Sequence, residues 1–172
     1  MTGPVLVAYA TRYGSTGEVA ERIGSRLRAR GLAVDVKNVR DAVPLDGYGA
    51  VVFGSPLYIG SMLKQGVAFL EGGRAALGRV PVAVFACGPL SADDDMEGAR
   101  AQLHGALEKL GWLSPVSTAM FVGAYDPAKL RALDRLVAVP PASPLHGIGA
   151  RDDRDWVAIE AWADEVAGAL QS

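Results

Sequence analysis

The sequence predicts one α/β domain built on a five-stranded, doubly wound parallel sheet in the order 2-1-3-4-5, with an insert before the last helix. Three observations carry this reading. Short, nearly all-apolar runs recur along the chain, as strands covered on both faces require. Apolar stripes at helical spacing lie between them, so strands and helices alternate as in right-handed βαβ units. The first run also leads directly into a turn with two glycines and three hydroxyls, Thr11 to Gly17, from which a helix starts. A chain of 172 residues suits a single domain spanning 1–172.

The elements follow in order. Pro4–Ala10 is the first strand, carrying Val5-Leu6-Val7-Ala8. Val19, Ile23 and Leu27 then form a helical stripe. In Leu32–Lys37, Leu32, Val34 and Val36 alternate with Ala33, Asp35 and Lys37, the pattern of a half-buried strand near a sheet edge. Ala50–Gly54 is the third strand and Val80–Ala86 the fourth. Between them, Leu63–Leu77 is a weaker helix, interrupted at Gly72-Gly73. Met96, Leu103, Leu107 and Leu110 form the next stripe, stopped by Gly111. Val116–Val122 is the fifth strand, and Trp156, Ile159, Ala163, Val166 and Leu170 mark the last helix.

One connection is far longer than the roughly 2–6 residues typical of such folds. It runs from Gly123 to Asp152 and contains a short amphipathic stretch, Lys129–Val137, which Pro140, Pro141 and Pro144 must end. It leaves from the carboxyl edge of the sheet, where doubly wound folds bind ligands. Two readings stand: a partly helical flap that selects substrate, or an ordinary insert covering a sheet edge. Leu130, Leu133, Leu136 and Val137 would allow weak peripheral membrane contact.

Composition narrows the function classes. Half the residues are hydrophobic and the net charge is −2, with acids and bases mixed. No basic stripe suits nucleic acid. The first residues lack a signal-peptide pattern and no run is apolar enough to span a bilayer, so a cytoplasmic protein is expected. The single cysteine, Cys87, fits a reducing compartment. His104 and His146 stand alone, without a cysteine cluster, and no metal site is expected.

The turn Thr11-Arg12-Tyr13-Gly14-Ser15-Thr16-Gly17 carries the chemistry. A helix start presents unpaired N–H groups and the positive end of the macrodipole. Gly14 and Gly17 let the backbone approach an anion, and Thr11, Ser15 and Thr16 add hydroxyl donors. The competing reading is a capping box, Ser15-x-x-Glu18, with no ligand. There is no G-x-x-x-x-G-K-S/T for nucleoside triphosphates, no G-x-G-x-x-G for a dinucleotide and no G-x-S-x-G for a hydrolase. An acidic pair, as in a response-regulator receiver domain, is missing after the first strand.

This turn resembles the phosphate loop of flavodoxins. The resemblance continues at Gly54-Ser55-Pro56-Leu57-Tyr58-Ile59-Gly60, after the third strand, and at Ala86-Cys87-Gly88-Pro89, after the fourth. It implies FMN, with the phosphate on residues 11–16 and the isoalloxazine ring held by the two later loops. Tyr58 either stacks on the ring or fills a gap in its loop. The second loop, running on to Asp95, has no aromatic; one ring face is then open to a flat substrate, unless Tyr125 covers it. Asp93–Asp95 either tune the flavin or start a helix with one residue capping. Cys87 is either a redox thiol or a small inert residue.

The chain is also similar to the short bacterial quinone-linked protoporphyrinogen oxidases. The shared features are the first strand and turn, Ser55–Gly60, Phe121-Val122-Gly123-Ala124, the insert, and Arg154-Asp155-Trp156. Leu130–Pro144 departs from that family, being aliphatic and proline-rich where its insert is aromatic and basic. The resemblance implies an FMN oxidoreductase that passes electrons from a small organic donor to an acceptor such as a quinone. The flavin carries the chemistry, so no general acid or base is assigned. The rival is an electron carrier between protein partners.

Overall fold

The computed structural model describes residues 2–88, 95–129, 141 and 149–172. The elements are β1 (Val5–Tyr9), α1 (Ser15–Ala29), β2 (Val34–Asn38), β3 (Ala50–Tyr58), β4 (Ser61–Met62), α2 (Lys64–Gly72), α3 (Arg74–Leu77), β5 (Val82–Cys87), α4 (Met96–Glu108), β6 (Ser117–Phe121), β7 (Ala124–Tyr125), β8 (Arg151–Asp152) and α5 (Trp156–Gln171). Five strands pair in parallel in the order β2-β1-β3-β5-β6. This is the expected order, renumbered because the two-residue β4 folds back antiparallel on β3. The half-buried second strand lies at one edge, as its alternation predicts.

Alternation along the strands feeds two cores. Val5, Val7, Val52 and Phe85 face α1 and α5, meeting Val19, Ile23, Leu27, Ile159 and Trp162. Leu6, Ala8, Val51, Phe53 and Val84 face the other way, toward Leu70, Leu77, Leu103 and Leu107. Each such fully buried side chain contributes about 1.5–3 kcal/mol. Neighbouring strands, and helix and sheet, approach closely where glycine permits. A Cβ on Gly54 would stand 2.0 Å from the Phe85 ring, and one on Gly24 would stand 2.4 Å from Val36. The weaker helix divides at Gly73, which ends α2 and starts α3.

Two expectations need correction. Ser55, Pro56, Leu57 and Tyr58 lie in β3, not in a loop, and the connection proper is only Ile59-Gly60. Cys87 likewise ends β5, with Ala86 inside the strand. The reason for the first error is positional. The Ala10 amide donates to the Gly54 carbonyl, but β1 pairing stops there. By alternation Pro56 turns its missing N–H toward that same side, past the end of β1, where a strand tolerates proline.

The insert is described only at its ends. Ala124 pairs with Asp152 and Tyr125 with Arg151, so β7 and β8 form an antiparallel neck. A single 3-10 turn, Pro127–Lys129, follows β7. The expected amphipathic helix lies outside the described residues beyond Lys129, as do Leu130, Leu133, Leu136 and Val137.

Candidate functional site at the start of α1

Three segments end together at the carboxyl edge: the turn after β1, the β3–β4 hairpin and the end of β5. The turn is built on Gly14, which precedes α1 with φ +98°. Its amide donates to Thr11 Oγ1 at 2.9 Å. A Cβ on Gly14 would meet nothing within 4 Å, so the space beside it is open. Gly17 is needed for a close approach instead, since its Cβ would lie 2.9 Å from Tyr9 Cε2.

The capping box does not form. Gly14 is the cap, Ser15 is already helical, and the cap makes no side-chain hydrogen bond. Glu18 pairs with Arg154 rather than with the helix start. The N–H groups at the start of α1 are thus left without a side-chain cap. Thr16, by contrast, is buried, and its Oγ1 makes no conventional hydrogen bond among the described residues, its polar neighbour being the weakly bonding Cys87 thiol. Arg12 is exposed, with its guanidinium 5.6 Å from the Tyr13 ring centroid.

The hairpin supplies a second wall. Ile59 and Gly60 have φ +47° and +68° between the paired residues Tyr58 and Ser61. Positive φ at both positions marks a type I′ turn, which favours Asn-Gly or Asp-Gly. Ile59 is fully exposed there, a strained place for a β-branched residue. Tyr58 is 44% exposed, which leaves much of its ring open to solvent. Ser55 is fully buried; its hydroxyl donates to the Pro56 carbonyl at 2.9 Å and accepts from the Leu63 amide at 3.2 Å, fixing the hairpin's base.

The end of β5 gives the third wall. Cys87 is buried, and desolvation pushes its thiol from 9.0 up to about 12, with Thr16 and Arg154 pulling weakly the other way. A protonated, enclosed thiol fits the small inert residue of the two readings. Gly88 follows, and Pro89 lies outside the described residues. Asp95 caps α4 by accepting from the Gly98 amide at 2.7 Å, while Asp93 and Asp94 lie outside the described residues.

A residue without any local sequence signal completes the region. Arg154 has a side chain only 5% exposed. Its Nε donates to Asp152 Oδ1 at 2.6 Å, its Nη2 reaches Glu18 at 2.7 Å, and its Nη1 donates to the Ser15 carbonyl at 3.2 Å. It also lies over the Trp156 ring, 4.5 Å from the centroid. The hydrogen bond from Arg154 holds the Asp152 carboxyl below the usual range. A cavity of about 230 Å³ lies between this neck and the turn, lined by Tyr13, Ser15, Tyr125 and Arg154 among others. A larger groove of about 830 Å³ lies beside α1, lined by Thr11 and Gly14 of the turn and by both acids and bases, among them Glu18, Glu21, Arg22 and Arg26. Tyr125 is buried beside the turn. Among the described residues no cluster of three metal-ligating side chains occurs, and no helix is long and apolar enough to cross a membrane.

A parallel sheet whose first turn leads into a helix start without a side-chain cap, with its one first-turn acid, Glu18, paired to Arg154, places the chain among the doubly wound α/β proteins. The family follows from comparison: a flavodoxin domain model matches residues 6–138, and the chain belongs to that family. Membership implies a flavin cofactor and a role as oxidoreductase or electron carrier. The chain is 33% identical over 89 aligned positions to an NAD(P)H dehydrogenase (quinone) of Cupriavidus metallidurans, covering 39% of this chain and 45% of that one. It therefore matches less than half the length of that relative. Among solved structures it is similar to a C101A mutant of flavodoxin from Pseudomonas aeruginosa, with TM-score 0.59, 18% identity and coverage of 98% and 99%. It is similar also to rubredoxin oxygen:oxidoreductase of Desulfovibrio gigas, with TM-score 0.54, 17% identity and coverage of 99% and 37%. Those two likenesses concern the fold.

Proposed function

We propose that this chain is an FMN-dependent oxidoreductase that passes electrons from a small reduced organic donor to a quinone-type acceptor. The observation that carries the FMN reading is a helix start without a side-chain cap, beside which Thr16 Oγ1 is buried with only the Cys87 thiol as a weak polar neighbour. Leaving such a group unsatisfied costs about 1–3 kcal/mol. A phosphate oxygen over the first turn of α1 supplies the missing acceptor. The amides of Ser15 and Thr16 and the hydroxyls of Thr11, which is oriented by the Gly14 amide, and Ser15 then complete a neutral nest, to which Arg12 and Tyr13 add the rim.

The ring site rests on Ser55, Pro56, Leu57, Tyr58, Ile59 and Gly60 on one side and Ala86, Cys87, Gly88 and Pro89 on the other. Tyr58 offers a planar face, and the two main-chain segments offer donors and acceptors to the ring edge. When bound, the flavin supplies the redox chemistry, and the protein supplies position and electrostatics. The relative's name, NAD(P)H dehydrogenase (quinone), supports a quinone acceptor and makes a nicotinamide the first donor to try. A protoporphyrinogen is the second, on the sequence resemblance.

The test is a turnover screen of FMN-loaded protein with reduced nicotinamides and protoporphyrinogen as donors and quinones as acceptors. Sustained, donor-dependent quinone reduction is expected. Slow reoxidation by every quinone would instead make the chain an electron carrier, and failure to bind FMN would remove the reading altogether.

A further inference from the structure

Glu18 stands in the first turn of the helix whose start would receive a phosphate dianion, and Asp152 stands beside it across Arg154. A carboxylate in a first helical turn suits the macrodipole in a protein without ligand, but it repels an anion placed on the same N–H groups. Arg154 pairs with both carboxylates, while Lys129 also faces Asp152. The Arg154 guanidinium is turned toward Asp152, Glu18 and the Ser15 carbonyl, and its flat face rests on Trp156. On the same ring, Arg22 lies 5.0 Å from the centroid, which fixes Trp156 as a platform. Four of its five N–H directions thus go to Asp152, Glu18 and the Ser15 carbonyl, so Arg154 acts on the turn chiefly through these groups.

We infer that Arg154 is a positioning residue that shields the phosphate turn: it neutralises Glu18 and Asp152 while tying the β7–β8 neck to the first turn of α1, so that the helix start accepts a dianion. This rests on the FMN reading above. The shield lies two residues beyond the return strand β8 and 139 residues along the chain from Ser15, so the segment joining the insert's neck to α5 sets the affinity of a site formed by the first βα unit. Lysine is a poor substitute, because a point charge cannot serve Asp152, Glu18 and a carbonyl at once.

The experiment compares FMN with riboflavin, which lacks the phosphate, by flavin fluorescence titration of the wild type, R154M, E18Q and the double variant. R154M is expected to weaken FMN about tenfold, from one unshielded charge near a dianion, and to leave riboflavin within about twofold. Adding E18Q should restore most of the FMN affinity, and about 1 M salt should shrink the R154M defect, since the screening length falls to about 3 Å. E18Q alone leaves the buried arginine in place and should tighten FMN but not riboflavin; it decides the matter if R154M does not fold. Equal weakening of FMN and riboflavin, or no rescue by E18Q, would show a mere strut and overturn the inference. A wild-type protein that binds FMN no better than riboflavin would instead sink the FMN reading itself.

Discussion

The turn after β1 and the hairpin after β3 sit at one edge of one sheet, yet they are made differently. The turn is a backbone device. Glycines at 14 and 17, a hydroxyl accepting from the Gly14 amide and a helix without a side-chain cap leave one buried hydroxyl, Thr16, poorly satisfied. The hairpin is held by strand pairing and by the Ser55 hydroxyl, and it forces Ile59 into a left-handed conformation. The first region keeps a hydrogen-bonding deficit in reserve, and the second keeps backbone strain. Both are costs that a bound ligand can offset, which is how strained or unsatisfied groups persist at sites.

The largest effect that sharpens this contrast lies where β3 passes from core to hairpin. Gly54→Ala drives a Cβ into the Phe85 ring, at 2.0 Å from Cζ. A loss of about 3 kcal/mol is expected, read from the denaturant midpoint. A midpoint unchanged from wild type would mean that the close sheet packing at this point is wrong.

Next comes a pair of variants that separates the two regions by ligand. Thr11→Ala should weaken FMN about tenfold while barely altering riboflavin, because it touches only the phosphate side. Tyr58→Ala should weaken both flavins by a similar factor, since stacking does not depend on the phosphate. The opposite pattern would reverse the assignment of phosphate side and ring side.

Much of this was legible beforehand, and the failures share a cause. The turn could be read because its signal is local: glycines and hydroxyls at a strand–helix junction. The two cores could be read from apolar runs and stripes. Ser55–Tyr58 could not, since Gly54, Ser55 and Pro56 have the look of breakers, and only the early end of β1 makes room for Pro56 in a strand. Glu18 suggested a capping box, but its partner is Arg154, far away in sequence. No pattern within a short window announces that contact. Arg154-Asp155-Trp156 stands in the sequence as a feature of the family resemblance at the start of the last helix, with nothing local to assign the arginine its partners.

Cys87 gives a smaller, pH-dependent effect. Its thiol stays protonated in the fold up to about 12, against 9.0 when exposed. The stability it contributes is complete below pH 9 and declines as pH rises from 9 toward 12, because the unfolded chain releases the proton first. Alkylation of the native protein at pH 8 should therefore be slow and should accelerate only with denaturant. Fast alkylation of the folded protein would restore the redox-thiol reading. The smallest effect belongs to the hairpin: Ile59→Asn should stabilise the ligand-free protein by about 0.5–1 kcal/mol, as Asn accepts positive φ and the exposed isoleucine buries nothing.

The poorly satisfied Thr16 hydroxyl offers the most direct test of the central claim, through Thr16→Val, which keeps the shape and removes the oxygen. The account predicts opposite signs for stability and binding. Without ligand, the variant should be as stable as the wild type or more so, by about 1 kcal/mol, because a buried unsatisfied group is gone. Its FMN affinity should fall about 10–100-fold, with riboflavin unaffected. A variant that loses stability while binding FMN as before would show that Thr16 serves the fold alone and that the phosphate does not sit at the start of α1.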